Sequence, residues 1–592
     1  TQLRRQRRMA DALLERLNPN LDPQERRHVW GRLRTELTSG WQTEEYQRQR
    51  LTVADEREFA MFHLAEVMYS IVPRFYEEIG AALESLFDAD LSTVVPPVVL
   101  SFGSWVGGDM DSAPEVNAKT IRETLQRQQQ VIVNEYFTDC QSLSQLLSQS
   151  ATRVPISIEL RRRIDEYAVL LPGARSVAQA RHDQMPYRTF FAQLAERLRK
   201  TWEGRAGGYE RAAQFRTDLQ LAADSLKANR GLNAGYQLVR RLLLRLDTFG
   251  FHLATLELKQ RADVLHRVLA QGLDEPGWVK LPRGERTTRL ADILGRNVGP
   301  VAQLDALSRR TLAVFEAAVQ CRMRYGQKAI GDYVVSGVEG ADDVMAALVL
   351  ARWAGVDDRK SGAVGMDFSP LFNSCASLDD AGATLATLLA DPTYREHLQV
   401  RGVPQPVYIG YADAGRDGGY IAMRVSAYEA QRALQASAAA AGVPLRLNHA
   451  RGGNIARGGA RLDAIVHAMP PDSIDGELHV TEQGETIGQN YGLRSNALRS
   501  LERAFGVLGL ARVAQRRGEA VPEDEASRDL MRRIAARSRD AWRRLCVEDV
   551  EFQDFFRAAT PIDVIERMQV GSRSIWEPGG CGALAIRSTP WV

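Results

Sequence analysis

Residues 406–419 read PVYIGYADAGRDGG, and this stretch decides the fold. Val407, Tyr408 and Ile409 are β-branched or aromatic and follow a proline, which suits a short strand buried on both faces. A helical pattern takes over from Gly419. Between the two lies Asp413, a carboxylate placed just after the strand. The same unit recurs after Gly331. Tyr333-Val334-Val335-Ser336 precedes a helix from Ala341, and Phe368 to Phe372 precedes one from Leu378. Leu445-Arg446-Leu447 leads into a glycine-rich loop, and Glu477-Leu478-His479-Val480 leads into Thr481-Glu482-Gln483-Gly484-Glu485. Repeated strand–loop–helix units imply a parallel sheet.

Polar residues collect at one point of each unit. Asp413, His449, Arg451 and Glu482 all follow a strand, where sites of (β/α)₈ barrels and open α/β sheets gather. One acidic residue there reads as a helix cap; a set of them reads as a site. The expected fold is mainly α with an embedded α/β barrel, TIM-like, surrounded by many helices. Residues 1–240 form a mostly helical N-terminal region, and residues 241–592 form the barrel core.

The N-terminal region supports that division. Ala60, His63, Leu64, Val67, Met68 and Ile71 make one apolar stripe at helical spacing. Helical patterns return from 115 to about 330, broken near Pro155, Gly207-Gly208, Gly231 and Gly299-Pro300. Residues 101–111, SFGSWVGGDMD, hold three glycines, a tryptophan and two aspartates and read as a tight loop. The run from Phe249 to Gln260 alternates apolar and polar residues like a short strand, with a helix from Ala262. Its His252 reads as a packed histidine.

Composition narrows the function classes. Lys and Arg number 76 against 74 Asp and Glu, a net charge of +2. That balance gives no reason to expect nucleic acid or a membrane surface as partner. Five scattered cysteines without a CxxC pair argue against a disulfide framework or a structural zinc site and fit a reducing compartment, the cytoplasm. No apolar run reaches the length of a membrane span.

Any cationic function must therefore come from local placement, and Pro444 to Arg461 supplies it. The stretch holds His449 and two copies of one tripeptide, Arg451-Gly452-Gly453 and Arg457-Gly458-Gly459. Paired glycines let a backbone approach a ligand closely, and a guanidinium beside each pair can grip phosphate or carboxylate in a fork. Two copies six residues apart, entered from an apolar segment, read as an anion-binding loop.

These segments, in this order, resemble phosphoenolpyruvate carboxylase. SFGSWVGGDMD is similar to that family's FGSWMGGDRDGNP loop, and IGYADAGRDGG to its GYSDSxKDAG segment. NHARGGNIARGGA resembles FHGRGGxxGRGGAP, and LHVTEQGETI resembles LRVTEQGEMI. VGSRSIWEP and IRSTPWV resemble GSRPAKR and LRAIPWIFAW. The resemblance implies carboxylation of phosphoenolpyruvate by bicarbonate, giving oxaloacetate and phosphate, with Mg²⁺ or Mn²⁺ as cofactor and a homotetrameric assembly. By the matching positions Arg451, Arg457, Arg573 and Arg587 hold phosphate and carboxyphosphate, with Gly452, Gly453, Gly458 and Gly459 in the covering loop. Asp413 is a metal ligand, His449 lies near the carboxylating centre, and Trp105 lies near phosphoenolpyruvate.

The departures are as informative. Lys259 stands where the family has a catalytic arginine, keeping the charge but losing the planar fork. Asn373 stands at the second metal carboxylate, where its amide oxygen can hold the ion more weakly than a carboxylate; Asp379 or Asp380 could instead be brought in by the altered loop, though the family parallel argues against it. Arg416 replaces the lysine after the metal aspartate, and Met110 an arginine of the tryptophan loop. Ala450 and Ala456 replace loop glycines, and the GSRPAKR lysine is absent from Ser574 to Glu577. Thr1-Gln2, with Arg4-Arg5 behind, resembles the tail of the family's TAHPT motif, whose histidine is the general base. These 592 residues alone are therefore expected not to carboxylate. The alternative is a non-catalytic relative that binds a phosphorylated metabolite as a regulatory or scaffold subunit.

Overall fold

A computed structural model describes residues 2–44, 51–89, 96–171, 184–356, 364–402, 404–474, 476–519 and 524–567. Seven strands form one parallel sheet whose neighbours follow chain order: β1 (Gly103–Ser104), β2 (Thr255–Arg261), β3 (Ile330–Ser336), β4 (Phe368–Phe372), β5 (Gln405–Gly410), β6 (Leu445–Ala450) and β7 (His479–Thr481). β4 and β5 are buried at every residue and β3 at all but one, the pattern of a parallel sheet covered on both faces.

One face packs on helices through Leu256, Tyr333, Val335, Phe368, Val407 and Ile409. The other is concave. Val334, Leu371 and Tyr408 cluster there with Trp105 and Ala450. The curl is measurable in one contact. β3 and β6 are three strand spacings apart, roughly 14 Å if flat, yet Arg446 on β6 reaches Asp332 on β3 at 2.6 and 2.7 Å. The protein is thus mainly helical with a curled parallel sheet, and a second core of Tyr136, Phe190, Phe215 and Phe249 holds the N-terminal helices together.

Most strand and helix starts fall where the sequence puts them, with five differences. The strand read from Phe249 begins only at Thr255, because Phe249 ends a helix spanning Gln237–Phe249. Residues 101–111 are not loop alone. Gly103–Ser104 pairs with Thr255 and Leu256, and Asp109 bridges to Lys259, because a backbone this short in side chains can lie against β2. The helix expected from Gly419 starts seven residues earlier, spanning Ala412–Ala441. Gly419 marks its kink instead, at φ 77°, where a Cβ would lie 3.2 Å from Trp542. The helix after β4 starts at Cys375, three residues before Leu378, because Ser374 caps it. His449 lies within β6 rather than after it. The N-terminal stripe forms as expected, with a π-turn at His63–Met68 inside the helix.

Candidate active site

The carboxyl ends of the strands open into a cavity of about 3560 Å³. That is several times the volume one small ligand needs, so the chemistry must occupy one corner of it. Trp105, Lys259, Asn373, Asp413, Arg416 and Arg457 all border the cavity.

Lys259 reaches it because β2 alternates: Glu257 and Lys259 line the cavity while Leu256 and Leu258 enter the core. Its ammonium lies 2.9 Å from Asp111, 4.0 Å from Asp109 and 5.2 Å from the centre of the Trp105 ring. The Ser336 hydroxyl donates to Asp111 at 2.9 Å. Burial would raise the Asp111 carboxyl, but Lys259 and Ser336 outweigh it and hold that carboxyl below the usual range. Trp105 is steadied by Tyr408, with ring centres 5.8 Å apart.

Asp413 lies in the first turn of its helix, where the dipole favours a carboxylate. One oxygen accepts from Asn373 Nδ2 at 2.8 Å and the other from Arg416 at 2.8 Å. Asn373 sits this close because its neighbour on β5 is Gly410, where a Cβ would lie 2.8 Å from that of Asn373. Asp379 and Asp380 are not brought in. Asp379 instead accepts from Ser426 at 2.7 Å and Arg539 at 3.2 Å, because the extra residues form a helical turn that points it away.

The arginine–glycine loop folds on itself around a 3₁₀ turn at Ile455–Arg457. Gly452 N–H donates to the Arg457 carbonyl at 2.9 Å and Gly459 N–H to the Asn454 carbonyl at 2.7 Å, with Gly453 between them. Gly458, at φ 79°, presses on Tyr411, where a Cβ would lie 2.6 Å from the ring. Arg457 faces the cavity and donates to Gln483.

Arg451 and His449 turn the other way. Arg451 packs its guanidinium 4.9 Å from the Tyr411 ring centre and donates to the Gly458 carbonyl. His449 is 1% exposed, with Nδ1 2.9 Å from the Tyr411 hydroxyl. Burial first, then the Arg451 charge, pushes its pKa down to about 3, so the ring is neutral. Neither borders the large cavity, because Asn448 and Ala450 hold the inward positions of β6. Glu482 is occupied by Thr486 at 2.9 Å and Tyr491 at 3.1 Å. Arg573 and Arg587 lie outside the described residues, as do residues 574–577.

The sequence reading missed three groups: Asp111 and Ser336 around Lys259, Gln483 on Arg457, and Tyr411 beneath the loop. Strand parity was a usable signal for Ser336, which ends β3 on the side of Val334. The others depend on contacts across the sheet.

Among the described residues, His266, Asp342 and Asp343 form the one group of three with metal-ligand atoms close together. Its hydrogen bonds argue for an ion-pair tie. Trp278 donates to His266 Nδ1 at 3.0 Å, which places the ring proton on Nε2, 2.9 Å from Asp343. Asp343 also accepts from the backbone of Glu339 and Gly340, and Arg283 and Arg286 hold Asp342. Asp413 with the Asn373 amide is the better fit for a hard divalent ion, which takes one or two carboxylates and completes its shell from water and substrate.

The whole chain, residues 1–592, matches the family model described as phosphoenolpyruvate carboxylase. A protein of that name from Xanthomonas euvesicatoria pv. vesicatoria is 41% identical over 596 residues, covering 100% of this chain and 65% of the relative. Those from Roseiflexus castenholzii and Mycobacterium avium are 32% and 30% identical, covering 100% and 99% of this chain and 64% of each relative. The chain thus spans somewhat less than two thirds of the length of the curated relatives it matches.

Proposed function

The chain belongs to the phosphoenolpyruvate carboxylase family, and from that premise we propose that it serves the carboxylation of phosphoenolpyruvate by bicarbonate. A bicarbonate oxygen attacks phosphorus and the bond to the enol oxygen breaks, giving carboxyphosphate and the enolate of pyruvate. Carboxyphosphate splits into CO₂ and phosphate, and the enolate carbon attacks CO₂ to give oxaloacetate.

The observation that carries this reading is the shared border: two cations, Lys259 and Arg457, and the Asp413–Asn373 pair line one cavity at the carboxyl ends of parallel strands. Fixed cations stabilise a phosphoryl group in transfer without having to reorganise. Lys259 is pre-aimed by Asp111, and Trp105 walls the site on one side. Arg457 covers it from the loop, and Arg451 joins only after leaving Tyr411. Arg416 balances Asp413, and His449 supports the loop through Tyr411. Arg573 and Arg587 complete the cationic set in this reading. Asp413 and, with its amide rotated, Asn373 would hold Mg²⁺ or Mn²⁺, which when bound stabilises negative charge on the enolate oxygen. The finer architecture we infer is a (β/α)₈ barrel that takes its first strand from the N-terminal region, at Gly103–Ser104, and the rest from 241–592, in a cytoplasmic homotetramer.

Asp413→Ala tests the metal corner. Phosphoenolpyruvate binding, measured by calorimetry with Mg²⁺ and with EDTA, should lose its Mg²⁺-dependent part. Bicarbonate-dependent oxaloacetate formation, where present, should fall ~100-fold or more. An unchanged Mg²⁺ response would sink the assignment. One observation favours a second reading, a non-catalytic binder of phosphorylated metabolites: Asn373 already satisfies Asp413 by a direct hydrogen bond. Phosphoenolpyruvate binding that Mg²⁺ does not strengthen and that yields no oxaloacetate would select it.

A further inference from the structure

We propose that the small space behind the arginine–glycine loop, between the half-buried Arg424 and the buried Arg451, binds one monatomic anion of the chloride class. The space is distinct from the large cavity and measures about 10 Å³, room for one particle the size of a water molecule. Tyr411, Arg424, Ala427, Gln431 and Arg451 are among its walls, and no carboxylate is.

Three observations converge on a negative occupant. The first is that Arg451 is 3% exposed, and its Nη2 has no hydrogen-bond partner among the described residues. Its Nε is satisfied by the Gly458 carbonyl and its face by Tyr411, so Nη2 is the group that remains. The second is Arg424, a second guanidinium on the same space. Burial, and the charge of Arg424 with it, pulls the Arg451 pKa down to about 10, while Tyr411 and the charge of Glu482 oppose the shift. Two cations facing one space repel, and Arg451, the buried one of the pair, gains most from a further negative neighbour. The third is that the nearest side-chain amide is already committed. Gln431 donates to the Ala427 carbonyl at 2.9 Å and accepts from Ser473 at 3.4 Å, and its oxygen makes no hydrogen bond to Arg451 Nη2.

Water could accept one hydrogen bond from Nη2 but adds no charge, whereas a halide accepts the bond and adds to the negative charge that Glu482 already brings to bear on Arg451. Its size excludes phosphate and carboxylate groups, which need several times the room. An anion held here fixes Arg451 against Tyr411 and away from the large cavity. Under the function proposed above, halide and substrate phosphate would then compete for one guanidinium.

The anion itself is the test, and no activity is needed. Thermal unfolding of the chain is compared in potassium chloride, potassium bromide and potassium gluconate at equal ionic strength, since gluconate is too large to enter. Both halides should raise the midpoint saturably, on the order of 2 °C above gluconate. Arg424→Gln should abolish that difference, while Arg424→Lys, which keeps the charge, should retain part of it. Bromide-soaked crystals should show an anomalous peak between residues 424 and 451. Equal midpoints in the three salts would overturn the proposal. So would an undiminished halide effect in Arg424→Gln, or a water-sized density without anomalous signal.

Discussion

The concave face of the sheet carries two clusters of opposed charge, and they are balanced differently. At the mouth two carboxylates sit on separate cations: Asp111 pairs with Lys259, which Asp109 also approaches at 4.0 Å, and Asp413 pairs with Arg416. Deeper in the curl two carboxylates, Glu257 and Asp332, share one arginine, Arg446. Arg446 donates to both oxygens of Asp332 and counters the rise that burial imposes on that carboxyl. Glu257 receives a backbone N–H from residue 332 at 2.8 Å and faces Tyr408. Burial above all, then the charge of Asp332, pushes its pKa up to about 8. Charge that is balanced by side chains can stay ionised when buried; charge in excess is balanced by a proton. The mouth is thus equipped to hold anions near neutral pH, and the floor is held neutral beneath it.

Removing the one cation of the floor should have the largest effect. Arg446→Met leaves Asp332 buried without a partner and should cost ~3 kcal/mol of stability in denaturant unfolding. A loss below ~1 kcal/mol would mean that the floor is solvated and the contrast with the mouth is false. The next effect is a pH dependence. The folded pKa of Glu257 lies above its unfolded value, so the folded state holds the proton longer. The stability this gives is complete below about pH 4.5 and is lost as pH rises toward 8. Because Glu257 borders the cavity, the loss should be held to ~2 kcal/mol. In Glu257→Gln the fall in melting temperature between pH 5 and 8 should flatten. An unchanged slope would show that another group carries it.

How far the sequence could be read differs between these same regions. The parallel sheet, the helix starts after β2 and β3 and the loop at 444–461 were legible because hydrophobic period and glycine placement are local signals. The positions of Lys259, Asp413 and Arg457 on one cavity follow from their place at strand ends. Arg446 and Asp332, 114 residues apart, were not legible, because their contact depends on how strongly the sheet curls. The placement of His449 relative to its strand differs from the expectation. His449 is inside β6, and the parity of that strand sends its ring outward. Tyr411 was invisible as a site residue because it reads as the end of an apolar strand, yet Gly458, Arg451 and His449 all rest on it.

The smallest predicted effect is the one that separates mouth from floor most cleanly. Asn373→Asp puts a second carboxylate within hydrogen-bond range of Asp413, copying at the mouth the arrangement found below. The floor solves that conflict with a proton because it is buried. The Asp413 side chain is 44% exposed, so a divalent ion from solvent can reach the pair and settle the repulsion. The variant should therefore lose about 1 kcal/mol in EDTA and regain it in Mg²⁺, whereas the parent chain should respond less. Melting curves in EDTA and in Mg²⁺ read the difference directly. If the variant is equally stable in both, the corner formed by 373 and 413 does not hold a divalent ion. If it is destabilised in EDTA only above the ordinary carboxylate range and Mg²⁺ has no effect, the mouth takes up a proton as the floor does, and the distinction between the two regions is one of degree.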